Sequence, residues 1–286
     1  MKEFKILSPT AILGYGFPEA SFLAGLAREP HVIAVDAGST DPGPYYLGSG
    51  RSFTQRSAVK RDLRYLIKAA LEREIPLIIG SGGGSGAKAH VEWNLAIIQE
   101  VLQELQKTAR LAVIYSDIER DLAAKKLKEG KIRPLGPVPE LRAEELYEAC
   151  NLVAQMGQEP IMQALEEGAQ IILAGRAYDP TVFAALPILQ GYDTALALHL
   201  GKILECAAIA ANPGSGSDSL FGSLYEDSFI IEALNPAREC TKVSIAAHTL
   251  YEKSDPYTLP GPGGSLDLSE TVFTQLPGGR VRVSGT

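Results

Sequence analysis

Two groups of residues in this chain have the types and spacing to do chemistry. The first is Ile78-Ile79-Gly80-Ser81-Gly82-Gly83-Gly84-Ser85-Gly86-Ala87, where a β-branched run gives way to glycines and serines and a helical pattern then continues to about residue 107. A strand-to-helix junction leaves backbone N–H groups unpaired at the positive end of the helix dipole, and glycine lets an anion come close. Gly80, Ser81, Gly82, Gly83, Gly84 and Ser85 are therefore expected to hold a phosphate, pyrophosphate or carboxylate, with a purely structural turn as the other reading. The second group is His199, Lys202, Glu205 and Cys206, set among Ala, Leu and Ile in a stretch read as one helix over 195–211. Spacing of i, i+3, i+7 puts His199, Lys202 and Cys206 on one face, with Glu205 one step round. Burying such groups is costly unless they are paired, so either a Lys202–Glu205 ion pair accounts for them or Glu205 or His199 serves as an acid/base in an apolar setting.

Three further positions bear on the same chemistry. Arg176, in Gly175-Arg176-Ala177-Tyr178-Asp179-Pro180, stands where a strand gives way to a helix. Its forked guanidinium would hold a carboxylate or phosphate through two parallel bonds, or would pair with Asp179 and fix the turn. Asp36 and Ser39 close another strand, in Asp36-Ala37-Gly38-Ser39. His248 and Glu252 fall one helical turn apart and would form a proton relay or a stabilising helix-end pair. Two such residues do not make a metal site, and no metal ligand set is assigned.

Neither glycine pattern completes a nucleotide fingerprint. The 80–86 loop lacks the Gly-Lys-Ser/Thr ending of a Walker A loop. Gly82-x-Gly84-x-x-Ala87 fits the dinucleotide pattern in part, but Asp117, the acidic residue after the next strand, comes late for a ribose contact. Gly14-x-Gly16 has Asp36 at the right distance but Glu19 in place of the third small residue. A dehydrogenase is accordingly the third reading of the chain.

The elements needed to position these residues follow from alternating patterns. Apolar runs at 4–7 or 11–13, 32–35, 77–79, 111–115 and 170–174 read as strands, and amphipathic stretches at 18–27, 59–73, 89–107, 119–129 and 159–167 as helices. Continuously apolar strands separated by helices indicate an α/β fold, doubly wound, with a mostly parallel sheet covered on both faces. Ligands of such sheets bind outside the carboxyl ends of the strands, so the five strand ends should share one site-bearing rim. The texture changes near Thr194, which divides the chain into an α/β ligand-binding domain over 1–193 and a smaller irregular portion over 194–286 that completes the site. The Asp41 loop is expected to be solvated.

Composition narrows the function. A net charge of −7 over 286 residues, with no Lys/Arg cluster, argues against a nucleic-acid surface. No apolar run is long enough to span a membrane, and the first residues read as a strand and not a signal peptide. Cys150, Cys206 and Cys240 are odd in number and widely spaced, which fits reduced thiols in a cytoplasmic protein.

With these motifs assembled, the chain resembles the acyclic terpene utilisation protein A family. The resemblance is carried by Gly14-Tyr15-Gly16-Phe17, Asp36-Ala37-Gly38-Ser39, the 80–84 loop and Ala174-Gly175-Arg176-Ala177-Tyr178-Asp179. His199-Leu200-Gly201-Lys202-Ile203-Leu204-Glu205-Cys206 and the stretch from Ala246 to Pro256 add to it. It covers almost the whole chain. Tyr178 stands where relatives often have a cysteine, and the resemblance implies that a further C-terminal part, usual in the family, is expected beyond Thr286. The family that the chain resembles is named for gene clusters that degrade citronellol and geraniol through acyl-CoA intermediates, and similar members also occur beside genes for carboxylic-acid metabolism. The leading expectation is an enzyme of small-molecule catabolism, hydro-lyase or hydratase-like, acting on an acyl-CoA or carboxylate. CoA would enter as part of the substrate, and no other cofactor is assigned. The glycine loop, Arg176 and Asp179 would hold the anion, Glu205 or His248 would move the proton, and Lys202 or His199 would stabilise negative charge. The alternative is a non-catalytic binding or scaffold subunit that needs a small partner chain. A homo-oligomer is the other assembly expected.

Overall fold

A computed structural model describes residues 3–39 and 43–286; the Asp41 position lies outside the described residues. In chain order the elements are β1 Phe4–Ser8, α1 Glu19–Leu26, β2 Val32–Asp36, α2 Pro44–Ser49, α3 Arg56–Arg73, β3 Leu77–Gly80, α4 Lys88–Glu104, β4 Leu111–Ile114, α5 Arg120–Lys128, α6 Ala143–Glu148 and α7 Glu159–Glu166. They continue with β5 Ile171–Ala174, α8 Asp179–Leu189, α9 Thr194–Leu204, a 3₁₀ turn at Ala207–Ala210, β6 Leu220–Leu224, β7 Ser228–Ala233, α10 Lys242–Thr249, β8 Thr258–Gly261, β9 Gly264–Asp267, β10 Val272–Leu276 and β11 Arg280–Ser284.

One nine-stranded sheet organises the chain, in the order β10-β11-β7-β6-β1-β2-β3-β5-β4. The strands from β1 to β4 on one side are parallel, joined by β1–β2, β2–β3, β3–β5 and β5–β4 pairings. Apart from Lys5, Ser8 and Asp36 their residues are apolar or glycine, because successive side chains point to opposite faces and both faces are covered. Val32, Ala34 and Ile78 enter a core with α8 and α9, whereas Ile33, Val35 and Ile79 enter a second core with α1, α3 and α4. This is the doubly wound arrangement expected of the alternating pattern.

The other half of the sheet is antiparallel, a feature that the expectation of a mostly parallel sheet did not contain. β6 runs antiparallel to β1, and β7, β11 and β10 follow as antiparallel neighbours. Residues 194–286 thus extend the sheet itself, and only β8 and β9 form a separate two-stranded ribbon. That ribbon is fastened by Leu259, Leu266 and Leu268 against Ala195 and Leu198 of α9.

Two local expectations are corrected. The helix read over 195–211 stops at Leu204, because the Ser8 hydroxyl at the end of β1 donates to the Leu204 carbonyl at 2.6 Å. Ala207 then takes φ +45° and the chain tightens into its 3₁₀ turn. The helix carrying His248 ends one residue later, and Glu252 lies beyond it at φ +59°. His248 and Glu252 are therefore not neighbours on a continuous helix.

α9 starts at Asp193, whose side chain accepts from the Leu196 N–H at 2.8 Å, and it packs closely against α8. Gly201 makes that approach feasible: a Cβ there would lie 2.3 Å from the Pro180 carbonyl oxygen. A backbone atom cannot step aside as a side-chain tip can. Gly201→Ala is expected to destabilise the protein by about 1–3 kcal/mol, the usual range for overpacking. Urea denaturation checks this, and an unchanged midpoint would contradict the packing described.

Candidate active site

The carboxyl ends of the parallel strands open onto a cleft of about 690 Å³. Ala11, Ile12 and Tyr15 reach it from the loop after β1, Asp36, Gly38 and Ser39 from β2, and Arg176, Tyr178 and Asp179 from the turn after β5. Lys202, Glu205 and Cys206 come from the end of α9, residues 251–254 from beyond α10, and residues 258–260 from the β8–β9 ribbon. The expected rim thus exists, and Asp36, Ser39, Arg176, Asp179, Lys202 and Glu205 all meet on it.

Charge balance is the main property of this cleft. Asp36, Lys202 and Glu205 are buried, and Arg176 and Asp179 are mostly so. Lys202 Nζ stands 2.5 Å from Glu205 Oε1 and 3.4 Å from Glu252 Oε2, and 5.5 Å from the centre of the Tyr251 ring. Arg176 Nη1 donates to Asp179 Oδ1 at 3.1 Å and to Ser81 Oγ at 3.0 Å. Asp179 and Glu205 lie close enough for their charges to act on each other. Three largely desolvated carboxyl groups therefore face two cations, so one proton should remain in the cluster.

The titration behaviour follows from that arrangement. Burial, then the negative charge of Asp179, pushes Glu205 up to about 8 despite its lysine partner. Burial and then Asp179 raise Asp36 well above the carboxylate range, against the pull of Arg176. Asp179 is raised as well, by burial, although Arg176 and Lys202 oppose the shift. Burial alone would lower Lys202, but Glu205 overrides it and holds the amine charged above its ordinary value. Cys206 is raised by burial and by Glu205, so it stays a thiol and not a nucleophilic thiolate.

The histidines do not join this group as expected. His199 is buried away from the cleft, sharing hydrogen bonds with Thr286 Oγ1 at 2.7 Å and Thr249 Oγ1 at 3.0 Å, with its ring edge-on to Phe229 and Phe273. The common helical face drawn through His199 and Cys206 is interrupted where α9 ends. His248 stacks on Tyr251 behind the cleft wall, its Nε2 buried without a partner among the described residues. Burial and the nearby Lys202 charge lower it to about 4, so the ring is neutral.

Several N–H groups of the glycine loops are taken by the chain itself. Ser81 and Gly82 donate their N–H groups to the Gly175 and Ala174 carbonyls, and Gly84 donates to Ser81. Asp117 Oδ1 accepts from the Lys88 N–H at the start of α4, the position a ribose-binding acid would have to leave. Likewise the Gly14 and Gly16 N–H groups both donate to buried Asp62, at 2.8 and 3.0 Å. The partial dinucleotide patterns are thus turns closed by internal carboxylates. A smaller pocket of about 260 Å³ does lie over Gly84 and Ser85, and Ser39 and Arg176 line both it and the main cleft.

Sequence reasoning assigned no role to Lys253, Tyr251 or the β8–β9 ribbon, all of which face the cleft. The run Glu252-Lys253-Ser254-Asp255 was the available signal, since it concentrates charge next to an apolar helix.

Burial lowers His199 to about 3 from an ordinary 6.5. A buried neutral histidine contributes stability that is complete above pH 6.5 and is lost as the pH falls through its folded-state value. His199→Asn should therefore show a smaller acid dependence than the native chain. The difference in unfolding free energy should shift in the variant's favour by about 1.4 kcal/mol per pH unit below pH 6. Parallel stability-against-pH curves would contradict the buried, neutral state.

Comparison with known proteins adds one finding. No curated protein and no solved structure matches the chain. The family described as acyclic terpene utilisation family protein AtuA matches residues 51–215, more than half of the chain. That span holds the glycine loop, Arg176, Asp179, Lys202 and Glu205. The chain belongs to the AtuA family of acyclic terpene utilisation.

Proposed function

We propose that the chain is a cytoplasmic enzyme of small-molecule catabolism that adds or removes water next to the carbonyl group of a carboxylate or an acyl-CoA. The observation that carries this reading is the cluster of Asp36, Asp179 and Glu205 facing Arg176 and Lys202 across an open cleft. Family membership supports a catabolic setting, and the three free cysteines fit a reducing compartment.

Loss of water from a hydroxy acid needs a base for the C–H proton beside the carbonyl and an acid for the departing hydroxyl oxygen. A carboxyl cluster that keeps one proton contains both forms at neutral pH. In the dehydration direction a carboxylate of the cluster takes the C–H proton and that bond's electron pair forms the new C=C bond. The C–O electron pair leaves with the hydroxyl, Glu205 in its acid form donates to it, and water departs. The Lys202 ammonium stabilises negative charge as it develops on the carbonyl oxygen. Arg176 holds the substrate anion: its Nη1 is committed to Asp179 and Ser81, while no described residue accepts from its Nε or Nη2.

The test is the exchange that accompanies interconversion of hydroxy acid and unsaturated acid, read by NMR as solvent deuterium incorporated beside the carbonyl, across a panel of both acids and their CoA thioesters. Glu205→Gln should lower exchange of the cognate compound by at least about 10²-fold, the low end for loss of a general acid/base. The native rate should fall on a limb with an apparent value of about 8 that the variant lacks. Undiminished exchange in Glu205→Gln would remove Glu205 from the reaction.

A further inference from the structure

Arg176 and Ser39 stand at the junction of two spaces, the 690 Å³ cleft that holds Lys202 and Glu205 and the 260 Å³ side pocket over Gly84 and Ser85. The remaining wall of the side pocket is apolar: Pro44 and Leu47 from α2 and Val153 from the segment before α7. At roughly 30 Å³ per water-sized group the pocket has room for at most about nine such groups, enough for an alkyl branch and too few for a nucleotide. A ligand paired with the free edge of the Arg176 fork would have one substituent in this pocket and its other carbons beside Lys202 and Glu205.

We propose that the substrate is a free monocarboxylate whose carboxyl group is bound by Arg176, with a short apolar substituent in the side pocket, and not a CoA thioester. This rests on the acid/base reading above and chooses between its two substrate classes. The choice follows from three observations. The free edge of a guanidinium matches a planar carboxylate, which can accept two parallel hydrogen bonds, whereas a thioester carbonyl offers a single neutral oxygen. Several N–H groups that could meet the phosphates of CoA are already taken, those of Ser81, Gly82 and Gly84 by backbone carbonyls, of Gly14 and Gly16 by Asp62, and of Lys88 by Asp117. The cleft also carries four carboxyl groups (Asp36, Asp179, Glu205 and Glu252) against Arg176, Lys202 and Lys253, a balance that admits one added negative charge far more readily than the several of CoA.

Calorimetric titration of the full chain tests this, with acetate, butyrate, 3-methylbutyrate and hexanoate, their primary amides, CoA itself and the matching CoA thioesters. The free acids should bind at millimolar concentration or better, and the amides and thioesters at least about tenfold more weakly. Leu47→Trp fills the side pocket from an exposed short helix and lies outside the proton-transfer cluster. It should weaken 3-methylbutyrate and hexanoate at least tenfold relative to acetate. Arg176→Lys, which keeps the charge and loses the fork, should weaken all the acids. Thioesters binding as tightly as the acids, an unaltered chain-length preference in Leu47→Trp, or no binding of any acid would each overturn the proposal. Thioester binding with Glu205-dependent exchange would leave the acid/base reading standing and remove only this inference. Bound acids with exchange indifferent to Glu205 would do the reverse.

Discussion

Lys202 and Glu205 are held 2.5 Å apart at the end of a helix whose other residues are almost all apolar, and the geometry of the cleft is arranged around that contact. Removing one member of a buried pair costs about 3–5 kcal/mol, because the survivor is left charged and unpaired. The pair is itself unbalanced, since the charge of Asp179 acts on Glu205 and Asp36 adds a third carboxyl group. Arg176 offsets part of that charge, and a retained proton offsets the rest. Such an arrangement is costly as mere scaffolding, and a simple Lys–Glu bridge would not need the two aspartates. The position at the carboxyl edge of a parallel sheet, open to solvent through the cleft, is where α/β folds place their ligands.

The glycines support that arrangement by bringing backbones together. A Cβ at Gly86 would lie 2.1 Å from the Arg176 nitrogen, and one at Gly38 would lie 2.3 Å from Ser81 Cβ. These contacts weld the loops after β2, β3 and β5 into one platform, on which Ser81 Oγ accepts from Arg176 Nη1. Gly201 does the same on the other side by letting α9 settle against the start of α8, next to Asp179.

Much of this could be read from the residues. Continuous apolar strands with intervening helices identified the doubly wound half, and small or polar strand ends identified the rim. Lys202 and Glu205 stood out because ionisable groups are rare in so apolar a run. What escaped was long-range. Helical spacing alone could not show that Ser8, almost two hundred residues earlier, would take the Leu204 carbonyl and end α9 there. Nor could it show that α10 would stop before Glu252, or that Asp62 would fill the Gly14–Gly16 turn. The antiparallel strands β6, β7, β10 and β11 are as long as the parallel ones, but their partners are set by tertiary contacts: β6 pairs with β1, and β7, β11 and β10 follow outward. His199 was drawn to the site by proximity in sequence, whereas its Thr249 and Thr286 partners place it in the core behind.

The central claim is that Glu205 keeps a proton near neutrality because its surroundings hold more carboxyl groups than cations. Infrared difference spectroscopy of the carboxylic C=O stretch, recorded between pH 5 and pH 9 on the native chain and on Glu205→Gln, tests it directly. The native chain should show a protonated carboxyl band that disappears with a midpoint of about 8 and is missing from the variant. A native chain with no protonated carboxyl above pH 6, or the same band in both proteins, would contradict it.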